Sequence, residues 1–121
     1  ARIYVPVDSD IFMRNIITKK EACTYLKELE SMEAAPFYVS KPAQLKAHYD
    51  GLMARHDMTG HLKLFKELYQ KEKKRKEHGK KFGEMESNYK KQVEHLLVDE
   101  FSYALNETPE LSKERLYRAM A

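Results

Sequence analysis

The sequence predicts an all-α fold, a compact bundle of about five helices, and three observations carry that prediction. Glycine and proline, the residues that interrupt helices, number only four each in 121 residues. Apolar residues recur at helical rather than alternating spacing through most of the chain. Between the periodic segments stand helix starts, among them Thr18-Lys19-Lys20-Glu21 and Thr108-Pro109-Glu110.

Residues 2–7, Arg-Ile-Tyr-Val-Pro-Val, read as a short strand, and Asp8-Ser9-Asp10 as its turn. A lone strand is not stable on its own. It is therefore expected to be the remnant of a truncated β domain covering residues 1–10, with a helical domain over 11–121. Thr18 and Glu21 form a capping box. The helix they open carries Ala22, Tyr25, Leu26, Leu29 and Met32 on one face and stops before Ala34-Ala35-Pro36. Pro36-Phe37-Tyr38-Val39 is an apolar loop, after which Ser40 is placed to cap a second helix over about 41–55. That helix accepts Pro42 in its first turn and turns Leu45, Tyr49, Leu52 and Met53 inward.

Asp57 or Thr59 caps a third helix, whose inward residues are Leu62, Phe65, Leu68 and Tyr69. Its apolar stripe fades at Glu72, where a run of basic residues begins, and Gly79 ends it. The fourth helix, 84–105, holds helical spacing longest, through Met85, Tyr89, Val93, Leu96, Leu97, Phe101 and Ala104. A fifth, 109–120, starts at the Thr108 cap and offers Leu111, Leu116, Tyr117 and Met120.

Composition narrows the function classes. Hydrophobic residues are 42% and charged residues 34% of the chain, enough to build a core. No apolar run approaches the ~18 residues of a membrane span. No secretory leader pattern is visible and Cys23 is the single cysteine, so a cytoplasmic setting without disulfides is expected. The chemistry of catalysis is missing as well. The five histidines, His48, His56, His61, His78 and His95, have no metal-ligand spacing and read as exposed helix residues. Cys23 reads as a small, partly buried neighbour of the first apolar stripe, with no base to activate it. Asp99 and Glu100 point different ways on a helix, and four scattered glycines cannot build a phosphate loop. The chain is expected to bind and not to catalyse, with no cofactor, no metal, no membrane and no small-molecule substrate.

Charge is the informative feature. The formal net charge is only +3, yet nine Lys or Arg (63, 66, 71, 73, 74, 75, 76, 80 and 81) lie between Lys63 and Lys81 against three Glu (67, 72 and 77). Cations at a helix C-terminus are stabilised by its dipole, which accounts for part of this bias. A row of Lys63, Lys66, Lys73 and Lys74, continued by Lys80 and Lys81, is also the footprint of a surface that meets nucleic acid or an acidic protein.

The order of motifs resembles the C-terminal part of the CarD/CdnL family of bacterial transcription regulators. Ile3-Tyr4-Val5-Pro6-Val7-Asp8 looks like the last strand of the family's Tudor-like domain. Met13-Arg14-Asn15-Ile16-Ile17-Thr18-Lys19-Lys20-Glu21-Ala22 looks like its arginine-containing lead-in to the first helix. Leu64-Phe65-Lys66-Glu67-Leu68-Tyr69 with Lys73-Lys74-Arg75, then Gly79-Lys80-Lys81-Phe82 and 94–105, resemble its later helices. The resemblance implies a helical domain that binds promoter DNA near the upstream edge of the melted region and helps stabilise the RNA polymerase open complex. The polymerase β subunit would be met by the Tudor-like domain. Family members wedge a tryptophan from the start of the second helix into the minor groove. This chain has no Trp, and Val39-Ser40-Lys41-Pro42-Ala43-Gln44 stands there instead.

Family position and charge together single out Lys41 and Lys46, which flank that region, and Lys73, Lys74, Lys80 and Lys81 in the basic run, as contacts to DNA phosphates. Phe37 and Tyr38 are the aromatic residues able to substitute for the wedge, although an apolar loop also serves simply to cover a core. The competing reading is a helical protein-interaction domain that uses the basic 63–81 helix and the Phe37-Tyr38 loop without touching DNA.

Overall fold

The computed structural model describes residues 2–7, 10–33, 37–38, 40–55 and 57–121, with side chains from Asn15 onward. Five helices follow a short hairpin: α1 (Lys19–Ser31), α2 (Pro42–Met53), α3 (Met58–Glu77), α4 (Glu84–Leu105) and α5 (Pro109–Met120). They pack as a compact bundle, the fold class that composition and periodicity predict. The expected single N-terminal strand is instead one half of an antiparallel pair, β1 (Arg2–Val7) with β2 (Asp10–Asn15), in the register Arg2↔Asn15 to Val7↔Asp10. Met13-Arg14-Asn15, expected to lead into the first helix, is thus strand. Each strand has a neighbour on one side only, a setting that tolerates Pro6. The expected turn residues Asp8 and Ser9 lie outside the described residues, as do Ala34, Ala35, Pro36, Val39 and His56.

The capping box forms as predicted: Glu21 N–H donates to Thr18 Oγ1 at 3.1 Å and Thr18 N–H to Glu21 Oε1 at 2.9 Å. Asp57, not Thr59, caps α3, accepting the Gly60 N–H at 2.7 Å. A Cβ on Gly60 would meet that carboxylate at 2.8 Å, so a side chain there would force the Asp57 cap to shift. Ser40 does not cap α2; Lys41 holds the cap position without a side-chain bond, and the Pro at the start of the helix removes one of the amides in need of a partner. Thr108 caps α5 as expected, through the Leu111 N–H.

Helix α3, which touches α1, α2 and α4, carries more buried residues than any other helix. Its first three turns are buried on most sides, with Leu62, Leu64, Phe65 and Leu68 at 0% exposure. Around them pack Leu29 of α1, Tyr49 of α2, Val93, Leu97 and Phe101 of α4, and Leu116 of α5. Each such side chain contributes roughly 1.5–3 kcal/mol by leaving water. Beyond Lys71 the helix emerges into solvent. The fading apolar stripe of the sequence marks this exit.

Polar side chains join the helices where they cross. Lys66, placed on the basic face by spacing alone, is buried at 5% exposure. Its ammonium donates to the carbonyls of Leu29 at 2.5 Å and Glu30 at 3.3 Å, closing the C-terminus of α1. No basic residue sits in the last turn of α1 itself, so α3 supplies the cation that its dipole favours. Buried Glu100 accepts the Ile17 N–H at 3.0 Å, tying the segment after β2 to α4, while Asp99 beside it is exposed. Cys23, expected to be partly buried, is exposed.

Burial of hydroxyls against acids makes the bundle sensitive to alkali. Tyr117 is pushed well above the ordinary phenol range, first by burial and then by donating to Glu94; Tyr49 likewise by burial and by Glu86; Tyr89 by burial and by Asp50. A phenol whose pKa rises on folding ionises first in the unfolded chain, at about pH 10, so its contribution is complete below that pH and lost above it. Thermal melts followed by circular dichroism should show a midpoint that holds to about pH 10 and then falls. Tyr117→Phe should make the fall shallower.

Candidate functional site

The exposed end of α3 is built by a glycine turn. Gly79 takes φ +66°, and Lys80 N–H donates to Arg75 O at 2.7 Å while Gly79 N–H donates to Lys76 O at 3.1 Å. This paired closure satisfies the last carbonyls and swings the chain sharply away from the helix axis. It carries Lys80 and Lys81 back beside Lys74, Arg75 and His78 on the final turns. The passage to α4 then runs through Gly83, where a Cβ would meet Glu86 Oε1 at 2.5 Å.

From the other side comes the segment 37–38, held by α3 and α2. Phe37 N–H donates to Glu67 Oε1 at 3.2 Å, and Phe37 O accepts from Lys71 Nζ at 2.9 Å. The Phe37 ring stacks on His48, centroids 4.0 Å apart and planes at 18°. His48 in turn contacts Glu67 Oε1 at 2.8 Å. Backbone and ring of Phe37 are thus both occupied. Tyr38 beside it is 53% exposed, with the Lys71 ammonium 4.8 Å from its ring centroid.

Beneath both segments lies a buried charged cluster. Lys71 and Glu86, at 1% and 3% exposure, pair at 2.5 Å. Arg75 reaches the second Glu86 oxygen at 2.7 Å, and Lys71 also donates to Tyr49 Oη at 3.3 Å. With three partners for one ammonium and two cations for one carboxylate, each buried charge is matched.

Above this base, Tyr38, Lys74, Arg75, His78, Lys80 and Lys81 line a cleft of about 400 Å³. His78 Nδ1 lies 2.8 Å from Lys74 O; a carbonyl only accepts, so Nδ1 carries the proton and Nε2 is left for other partners. Among the described residues no carboxylate lies within ion-pair distance of Lys74, Lys80 or Lys81, whereas Arg75 is matched by Glu86. The C-terminal dipole of α3 opposes them with only about half a charge. Three unmatched ammonium groups outweigh it, and the cleft is net positive.

Of the residues chosen from sequence, Lys74, Lys80, Lys81 and Tyr38 meet in this cleft. Lys73 is exposed on α3 but does not line it, and Lys41 is exposed at the start of α2. Lys46 pairs with Asp50 at 2.6 Å, which makes it a weaker candidate for a phosphate contact. Phe37 is engaged by His48, and of the two aromatics Tyr38 alone is presented outward. Sequence reading missed Arg75 and His78 as members, although Lys74 and His78 are four apart and share a helix face. It also expected every histidine to be exposed. His61 is 2% exposed within α3 and His48 is half-buried, while His78 and His95 are exposed. Among the described residues no group of His, Cys, Asp and Glu could hold a metal ion, and no helix is long and apolar enough to cross a membrane.

No family model matches the sequence, no curated protein matches it, and no solved structure matches the fold.

The buried pair makes a sharp prediction. Glu86→Gln leaves two cations facing one neutral group and should cost about 3–5 kcal/mol in a urea unfolding series. The double change Lys71→Met with Glu86→Leu should recover much of that loss, because no charge then remains buried without a partner except at the half-exposed Arg75.

Proposed function

We propose that this chain is a transcription-regulator module that binds promoter DNA, mainly through its backbone near the upstream edge of the melted region, and helps stabilise the RNA polymerase open complex. The observation that carries the reading is the cleft at the end of α3, where Lys74, Lys80 and Lys81 stand without acidic partners among the described residues. Exposed Lys73 extends the positive surface along the same helix, whereas Lys76 pairs with Glu72 at 3.7 Å. Such cations exchange condensed counterions for phosphates and fix position without reading sequence. The order of CarD/CdnL-like motifs supports promoter DNA as the polymer concerned. On the same reading the contact with the polymerase β subunit belongs to a Tudor-like domain, of which the N-terminal hairpin would be part.

The competing reading, a protein-interaction surface anchored by the Phe37-Tyr38 loop, draws less support. Phe37 spends its ring on His48, and an anchor needs a side chain that can enter a partner's pocket.

The test is a salt titration of binding to a forked promoter duplex. Each neutralised phosphate contributes about 0.9 to the slope of log affinity against log salt. Lys74→Ala, Lys80→Ala and Lys81→Ala together should lower the slope by about 2–3 and weaken binding at every sequence tested. Lys46→Ala should change it far less, since Asp50 already neutralises that cation. An unchanged slope in the triple variant would remove the cleft from the interface, and absence of binding by the parent chain at low salt would end the DNA reading.

A further inference from the structure

We infer that the cleft is a binding site for a nucleoside di- or triphosphate, its base against Tyr38 and its phosphates on Lys74, Lys80 and Lys81. The inference rests on the same cations as the DNA reading and deepens it: a bound nucleotide takes the groups that would hold DNA phosphates, so the two ligands exclude each other.

Three features point to a compact ligand. The cations converge from two separate turns, 74–78 and 80–81, around one concavity of about 400 Å³. That volume lies in the range of small-molecule sites, roughly 300–1,000 Å³. A di- or triphosphate concentrates several charges in a small volume and is matched by cations gathered around one concavity. Second, Lys74, Lys80 and Lys81 have no acidic partner among the described residues, so positive charge is available without first breaking an ion pair. Third, the remaining wall is an aromatic ring. Tyr38 is held from behind by the clamp on Phe37, has the buried Lys71 ammonium 4.8 Å from its centroid, and is 53% exposed. A fixed, half-exposed ring beside unpaired cations provides stacking for a base and charge for its phosphates. His78 lines the same cleft. The phosphates are held by ammonium groups, so no glycine-rich loop is required.

The experiment is calorimetric titration of the 121-residue chain at low salt with adenosine triphosphate, inorganic triphosphate and adenosine, repeated on two variants whose circular dichroism matches the parent. The parent should bind adenosine triphosphate more tightly than inorganic triphosphate, and adenosine alone weakly. Tyr38→Ala should weaken the nucleotide by roughly five- to a hundredfold, the range expected for one stacked base, and change inorganic triphosphate by less than about twofold. The triple Lys74, Lys80 and Lys81 to Ala variant should lose both. If adenosine triphosphate and inorganic triphosphate bind alike and Tyr38→Ala affects neither, the cleft is a plain polyanion surface and the inference is overturned; no nucleotide binding by the parent overturns it outright. Titration of the same proteins with promoter duplex separates the two readings. DNA binding without nucleotide binding sinks only the inference, and nucleotide binding without DNA binding sinks only the proposed function. Where both occur, added adenosine triphosphate should displace the duplex.

Discussion

The rest of the molecule depends on how one buried ion pair, Lys71 with Glu86, is satisfied. An ammonium and a carboxylate taken from water lose several kcal/mol of hydration each, and only close geometry with further hydrogen bonds repays it. Here the repayment is spread across the fold. Lys71 also bonds the Phe37 carbonyl and the Tyr49 hydroxyl, and Glu86 also bonds Arg75. Those partners come from α2, α3, α4 and the segment before α2, so the pair cannot be satisfied unless all four are in place. Gly83 belongs to the same constraint, because a side chain there would collide with Glu86.

The cluster also divides the basic run into two populations with opposite roles. Lys66 and Lys71 are interior residues. One closes the carbonyl end of α1; the other knits α3 to α4 and to the Phe37 segment. Lys74, Lys80 and Lys81 lie outside, without an acidic partner among the described residues. Arg75 stands at the boundary, half-buried and matched. A stretch that reads as uniformly positive in sequence is therefore part scaffold and part surface. The surface part is held in place by the scaffold part, since Lys71 fixes Tyr38 on one wall while Gly79 returns Lys80 and Lys81 to the other.

The two kinds of residue also explain which features could be read in advance. Helix starts were legible because Thr18, Asp57 and Thr108 act on amides three residues away. The core was legible from Leu62, Phe65, Leu68, Val93 and Phe101, because burial of one face imposes a helical period. Burial of Lys66, Glu67, Lys71, Glu86 and Glu100 was not legible, since each is satisfied by a group on another helix or segment, 11 residues away for Arg75 and Glu86 and 83 for Ile17 and Glu100. His48 and His61 were misread for the same reason. The second strand was missed because Asp10–Asn15 contains both an acid and an arginine, and its assignment comes from the register with β1.

What the sequence determined by itself was the all-α class, the number and limits of the helices, and the concentration of positive charge at the end of the third. These follow from interactions spanning one or two turns. Only the tertiary structure decided which cations face solvent, that they gather with Tyr38 around one cleft, and that Phe37 is withdrawn from it. Those outcomes turn on whether an ammonium group finds a carboxylate or carbonyl on another helix, and that pairing exists only once the helices have packed.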